Sequence, residues 1–233
     1  MIIICSKRKS KEKIQKEYPG CIIADCTSKA KDPLIRLSPF YPHGNIPVPY
    51  TNGLITANSV ESIWQGLKVF QNSDIDIELF KHQELKGLKR TTKRYGKILG
   101  HKRGPDGRSD MLLSYSEARK QIYIPTYRWM LEHYAMDIIN RLRCVNKEKT
   151  IVLLDYNTNC DVTNLQKPLS HAYLVKAYVE GLYPYEDVIE EKVEHHLYEG
   201  RKSLRWTTKT TSYREVNIDS SKSQQLEIPF DLQ

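Results

Sequence analysis

Between Lys31 and Thr56 the chain is punctuated by Pro33, Pro39, Pro42, Pro47 and Pro49 together with Gly44 and Gly53. Proline fixes φ and donates no backbone hydrogen bond, so this stretch is neither a helix nor the interior of a sheet. It is also too apolar for a solvated linker, with Leu34, Ile35, Leu37, Phe40, Ile46, Val48, Leu54 and Ile55 spread through it. A long ordered loop is expected, and ordered loops of that length usually line a site. The regular elements must come from the flanks.

Upstream, Ile2-Ile3-Ile4, a charged run to Glu17, a Pro19-Gly20 turn and Cys21-Ile22-Ile23-Ala24 read as strand, helix, strand, the two strands pairing in parallel around the helix. Downstream, Asn58 to Phe70 begins with Asn-Ser at an N-cap and repeats apolar residues at helical spacing. Ser114 and Glu117 fit a capping box, and Pro125 suits a first turn or a kink. Tyr127, Met130, Leu131, Tyr134 and Ile138 then form one stripe, which is read as core. Ile151 to Leu154 is a buried strand that delivers polar groups, Asp155 to Asn159, at its C-terminal end. A helix from about 168 to 180 ends at Gly181 and Pro184. Beyond Leu204 periodicity is lost. The expected fold is α+β: a small strand-helix-strand unit over residues 1–30, a mainly helical domain over 31–203, and a flexible tail over 204–233.

A chain of 233 residues with 39% hydrophobic content can bury one sizeable core without staples. Cys5, Cys21, Cys26, Cys144 and Cys160 contain no CxxC pair and form no even framework, which favours a reducing compartment. The opening MIIIC is too short for a signal peptide, and no apolar run approaches the roughly 20 residues of a membrane span. A cytoplasmic protein that does not enter the membrane is expected. The 36 Lys+Arg against 28 Asp+Glu give a net charge of +8, which favours polyanions such as nucleic acid or phosphate-rich small molecules. Residues 86–108 hold nine Lys/Arg and one acid; a solvated basic helix and loop is the plain alternative. His195-His196 beside Glu194 lacks paired ligands at helical spacing, so no metal is expected. No cofactor is expected either.

At 100° per residue Val60, Ile63, Trp64, Leu67 and Phe70 share one helical face, and Glu61, Gln65 and Lys68 cluster within about 60° beside Trp64. A carboxylate, an amide and an amine thus lie along one strip, for which a solvated Glu/Lys face is the bland account. Three further groups add polar chemistry. Ser38-Pro-Phe40-Tyr-Pro-His43-Gly44 offers an aromatic wall, an acid or donor, and a close backbone approach. The loop Gly100-His101-Lys-Arg103-Gly104 to Arg108 can hold phosphate through backbone N–H groups and arginine. Asp155, Asn157, Asn159 and Asp161 gather at a strand end, and Ser170-His171 opens a helix.

The segments LSPF (37–40) and SVESIWQGLKVF (59–70) resemble the NADAR family, whose members pair an SNF-type loop with a segment close to SEHYFQAQKF. The correspondence falls on Ser38 and Phe40, then Ser59, Glu61, Gln65, Lys68 and Phe70. IVLLDYNTN and LSHAYLVKAYVEGL are similar to that family's strand ending in an acidic residue and its closing helix; its WGDG signature is absent. The resemblance spans about residues 37 to 182. It implies cleavage of N-glycosidic bonds, in phosphorylated riboflavin-pathway intermediates or between ADP-ribose and guanine. Such a reaction passes through an oxocarbenium-like centre, which needs a carboxylate and a donor for the departing nitrogen. On that basis Glu61, Lys68 and Asp155 are the catalytic candidates. Ser38, Phe40, His43, Gly44, Trp64, Gln65, His101, Arg103, Asn159 and His171 are the substrate-binding ones. Lys68 can anchor phosphate, pair with the carboxylate, or attack C1′ as a free amine.

In the tail, Gln225-Leu-Glu-Ile-Pro-Phe230 resembles the short peptide that docks proteins onto bacterial-type sliding clamps. The leading expectation is an N-glycosidase, with a phosphorylated ribosyl or ADP-ribosyl substrate and DNA and a clamp as further partners. The rivals are a non-enzymatic nucleic-acid-binding accessory protein and a DNA-modifying glycosyl transferase.

Overall fold

The computed structural model describes residues 1–184, all within one compact unit. The expected tail, its Gln225–Phe230 peptide and His195-His196 lie outside the described residues. The chain runs β1 (Ile2–Ser6), α1 (Lys11–Glu17), β2 (Ile22–Asp25), β3 (Ile46–Pro47), β4 (Thr56–Ala57), α2 (Val60–Gly66), β5 (Lys68–Phe70) and α3 (Thr92–Tyr95). It continues through β6 (Ile98–His101), α4 (Tyr115–Ala118), a π-helical turn (Arg119–Tyr123), α5 (Ile124–Tyr134), α6 (Met136–Glu148), β7 (Ile151–Asp155) and α7 (His171–Val179). This is a mixed α+β fold. Among the described residues no helix is long and apolar enough to cross a membrane.

The strands at the two ends of this region form one parallel sheet in the order β1-β7-β2. Ile2 lies opposite Ile151 and Ser6 opposite Asp155 on one side, and Ile22 opposite Ile151 on the other. β1 and β2 therefore do not pair with each other as the sequence suggested, because β7 inserts between them. The reason is burial: all five residues of β7 are buried, and a strand without a solvated face or edge belongs in the centre of a parallel sheet. Side-chain alternation then divides β7 between two layers. Ile151 and Leu153 join the main core beneath α5, α6 and α7, while Val152 and Leu154 pack with Cys5, Cys21 and Ile14 of α1. Residues 1–30 thus share a sheet with residues 151–155. Truncating Ile14, the one buried residue of α1, would cost about 2–5 kcal/mol.

The proline-rich stretch is an ordered loop holding one 3₁₀ turn, Leu34–Leu37, and the short β3–β4 pair. It is pinned from α5, where Tyr127 donates its hydroxyl to Leu37 O at 2.6 Å and Tyr134 to Gly44 O at 2.8 Å. Tyr127, Met130, Leu131 and Ile138 are buried as the stripe required. Ser114 and Glu117 cap α4 reciprocally. Pro125 stands in the first turn of α5, two residues past the π-helical turn, whose wider spacing suits a residue with no N–H to return to the carbonyl four positions back.

The helix expected through Phe70 stops at Gly66. Phe80 packs where a side chain at Gly66 would stand, 2.4 Å from an ideal Cβ, and the next residues pair as β5 with β6, Lys68 opposite His101. Lys68 and Phe70 therefore sit on a strand.

Candidate functional site

α2 starts at Ser59, whose hydroxyl accepts from Ser62 N at 3.0 Å while Ser62 Oγ accepts from Ser59 N at 3.1 Å. Glu61 N donates to Pro39 O at 2.8 Å, so the helix start is tied to the Ser38–Phe40 segment of the loop. At the other end Arg90 takes up carbonyls as the chain turns into β5. Its guanidinium donates to Gln65 O, to Lys68 O at 2.6 Å, to Ser73 Oγ and to Asp74 O. This clamp folds Lys68 back against the helix it has left. Arg90, from the basic segment, is thus a buried structural residue.

The outcome is a relay of side chains. Gln65 Nε2 donates to Glu61 Oε1 at 2.7 Å, and Lys68 Nζ donates to Gln65 Oε1 at 3.0 Å. Glu61, Gln65 and Lys68 are only 7%, 5% and 8% exposed, which removes the solvated-strip account of this helix. Burial raises the Glu61 pKa against the opposing pull of Gln65 and Lys68. Burial likewise lowers Lys68 to about 8, with Glu61 holding it up and Arg90 and Lys89 pressing it down.

The relay opens into a cleft of about 870 Å³. Phe40 and Trp64 supply aromatic wall, and Lys89 Nζ stands 5.7 Å from the Phe40 ring centroid. Trp64 packs on His101 with centroids 4.0 Å apart and meets Tyr115 and Tyr123 edge-on. His101 is 1% exposed, and neither ring nitrogen makes a hydrogen bond of ordinary geometry among the described residues. Burial and the Lys68 charge lower its pKa to about 3, so the imidazole is neutral.

The C-terminal edge of the sheet also lines the cleft. Asp155, last in β7, accepts from Ser170 Oγ at 2.7 Å and lies 3.0 Å from His171 Nδ1. His171 Nε2 is 2.8 Å from Cys26 O, so both of its ring nitrogens are engaged. Burial opposes ionisation of both partners, yet their mutual attraction prevails, raising the His171 pKa and, with the Ser170 bond, lowering that of Asp155. His171 is therefore a positioning residue for Asp155 and has no nitrogen left for a ligand.

The structure brings Ser38, Phe40, Glu61, Trp64, Gln65, Lys68, His101, Asp155 and His171 to this one cleft. Four other expected residues stand away from its lining. His43 stacks on Tyr134 with its Nε2 2.9 Å from Arg36 O, and the Gly44 carbonyl is taken by Tyr134. Arg103 is exposed. Asn159 donates its amide to Asn164 O and Lys167 O, bracing the loop before α7. The glycine-punctuated loop is not built as a phosphate cradle: Gly100 lies in β6 against the Leu113 carbonyl, and Arg108 is paired with Asp110 at 2.5 Å.

Sequence reasoning missed Arg8, Lys89, Tyr115, Arg119 and Tyr123, all of which line the cleft. Tyr115, Arg119 and Tyr123 recur every four residues from the Ser114 cap, a helical-face signal that was legible upstream of the core stripe. Buried Arg119 donates to Val162 O, Asn164 O and Lys167 O, each at 2.9 Å, fixing the loop over this wall. The Tyr123 hydroxyl makes no hydrogen bond among the described residues. Burial, with Glu61 and Asp155 both nearby, raises its pKa well above the usual phenol range. No cluster of three or more His, Cys, Asp or Glu among the described residues is arranged to hold a metal ion.

A family model described as "Family of unknown function (DUF6939)" matches residues 6–175, a span that contains every residue lining the cleft. No curated protein matches the chain, and no solved structure does.

Proposed function

The chain belongs to a family of unknown function, and from the chemistry of its cleft we propose that it is an N-glycosidase hydrolysing a ribosyl–base bond. Its substrate would be a phosphorylated ribosyl or ADP-ribosyl compound, guanine-linked ADP-ribose in nucleotide or nucleic acid among them. The observation that carries this reading is the buried Glu61–Gln65–Lys68 relay opening into an aromatic-walled cleft. The likeness to NADAR proteins supports it, because residues from two separate matching segments, Ser38 and Phe40 with Glu61, Gln65 and Lys68, meet in one place.

In this mechanism the C1′–N bond breaks and positive charge develops on the ribose. Glu61, whose carboxylate is made more basic by burial, stabilises that charge and takes a proton from the water that bonds to C1′. Gln65 holds the carboxylate in one orientation. Lys68, an ammonium at neutral pH with a pKa of about 8, gives a proton to the departing nitrogen. Phe40 and Trp64 stack on the base. The five cysteines are free thiols, three of them buried, which suits a reducing compartment, and we place the protein in the cytoplasm.

The test is incubation with ADP-ribosylated guanine nucleotide or DNA, and with ribosylated pyrimidine phosphates, followed by mass spectrometry. Release of free base with one water added is expected, and Glu61→Gln should lower it on the order of 10²- to 10⁴-fold while binding persists. No turnover of any of these compounds would sink the proposal. A base exchanged for an acceptor other than water would make the enzyme a transferase.

A further inference from the structure

We propose that the cleft contains a phosphate subsite at its sheet end, formed by Arg8 and Ser28 beside Thr27, so that residues 1–30 select phosphorylated ligands. This rests on the proposed reading for the identity of the ligand, but its test does not require turnover.

Position is the first argument. β1, β7 and β2 run parallel and end at one edge, and the residues that follow them reach the cleft: Arg8 after β1, Thr27 and Ser28 after β2, Tyr156 and Asn157 after β7. In open parallel sheets ligands sit outside the carboxyl ends of the strands.

Charge is the second. In the run Lys7-Arg8-Lys9 the outer two cations are neutralised, Lys7 by Asp25 at 2.6 Å and Lys9 by Glu17. Arg8 between them lines the cleft, and its guanidinium has no acceptor among the described residues. Most other charges of the cleft are engaged from within: Glu61 and Lys68 meet through Gln65, Asp155 is held by His171 and Ser170, and Arg119 is taken by carbonyls. Exposed Lys89, over Phe40, adds a second cation without an acceptor among the described residues. An anion is what Arg8 lacks.

Donor geometry is the third. Neither the N–H nor the hydroxyl of Ser28 makes a hydrogen bond among the described residues. Thr27, 1% exposed, accepts at its hydroxyl from Lys29 N at 3.3 Å, which leaves the hydroxyl proton to donate. A guanidinium fork with several separate neutral donors fits the tetrahedral oxygens of phosphate better than a planar carboxylate. The relay lines the same cleft, whose volume of about 870 Å³ admits a ligand of nucleotide size.

Titration calorimetry on the full chain tests this with ADP-ribose and, as the uncharged comparison, adenosine. The wild type should bind ADP-ribose more tightly than adenosine. Arg8→Ala should weaken ADP-ribose on the order of 10- to 100-fold and leave adenosine unchanged. Arg8→Lys should restore part of the loss, and Ser28→Ala should weaken ADP-ribose by a smaller factor. Arg8 is exposed, so an unchanged melting temperature serves as the folding control. Equal wild-type affinity for the two probes, an Arg8→Ala protein with undiminished ADP-ribose binding, or an equal loss for both probes would overturn the subsite. If the discrimination is found but no glycoside is cleaved, the subsite stands and the glycosidase reading falls.

Discussion

Replacing Lys68 by methionine separates function from stability, because the ammonium assigned to the proposed reaction is held in the fold at a cost. Burial lowers its pKa from 10.5 to about 8, and about 2.5 units at roughly 1.4 kcal/mol each is about 3 kcal/mol of lost proton affinity. Two consequences of the substitution offset part of the gain. Glu61 loses a cation that favours its ionised form and takes up a proton more readily. Gln65 Oε1 loses the Lys68 donor at 3.0 Å but keeps Arg90 N at 3.3 Å. Methionine fills the stem's volume flexibly, so a net gain of roughly 1–2 kcal/mol is expected. For a chain of this size that is a rise in melting temperature of about 2–8 °C at pH 7.

The dependence on pH carries a definite sign. Below about pH 8 the folded wild type bears the full cost of its protonated lysine. Between about 8 and 10.5 the folded state has released a proton that the unfolded chain still binds, so wild-type stability rises with pH. The advantage of Lys68→Met should therefore shrink across that window and vanish above it. Scanning fluorimetry at pH 7 and pH 10, with base release measured in parallel, checks both halves. A variant less stable than wild type at pH 7, or an advantage unchanged at pH 10, would refute the burial argument.

The rate of base release should fall at high pH with a limb near 8, set by Lys68, and at low pH with a limb above 4.5, set by Glu61; a rate still flat from pH 7 to 10 counts against Lys68 as the proton donor. Asp155→Asn leaves buried His171 without its counter-charge and should cost about 3–5 kcal/mol by denaturant unfolding. The Asp155 contribution is lost as pH falls through its lowered pKa, and that of His171 as pH rises through its raised one. The deficit should therefore be largest between about pH 4 and 6.5. Gly100→Ala would set a Cβ 2.7 Å from Leu113 O and 2.9 Å from Leu112 Cβ, which should cost about 1–3 kcal/mol of thermal stability. An unaffected melting temperature would show that the β6–Leu113 contact yields freely.

Local order was legible wherever a short-range rule governs it. The caps at Ser59 and Ser114, the core stripe from Tyr127, the buried strand ending in Asp155 and the ordered proline-rich loop each follow from neighbours within a turn or two of chain. So did the grouping of Glu61 with Gln65, which needs only helical spacing. Lys68 joined them for a different reason: it lies on a strand, and Arg90, from another part of the chain, turns it back toward the helix. His43, Arg103 and Asn159 carry suitable chemistry, but their side chains stand away from the cleft, which a residue type does not reveal.

The sequence by itself determined which segments form elements and which polar side chains a helix or strand end would present, because periodicity, caps and proline act over a few residues. Only the tertiary structure decided that β7 parts β1 from β2. The pairing of parallel strands depends on which distant strand needs burial on both sides, and local pattern does not encode that. That one insertion carries Arg8, Ser28 and Asp155 into the cleft that Glu61 and Lys68 also line.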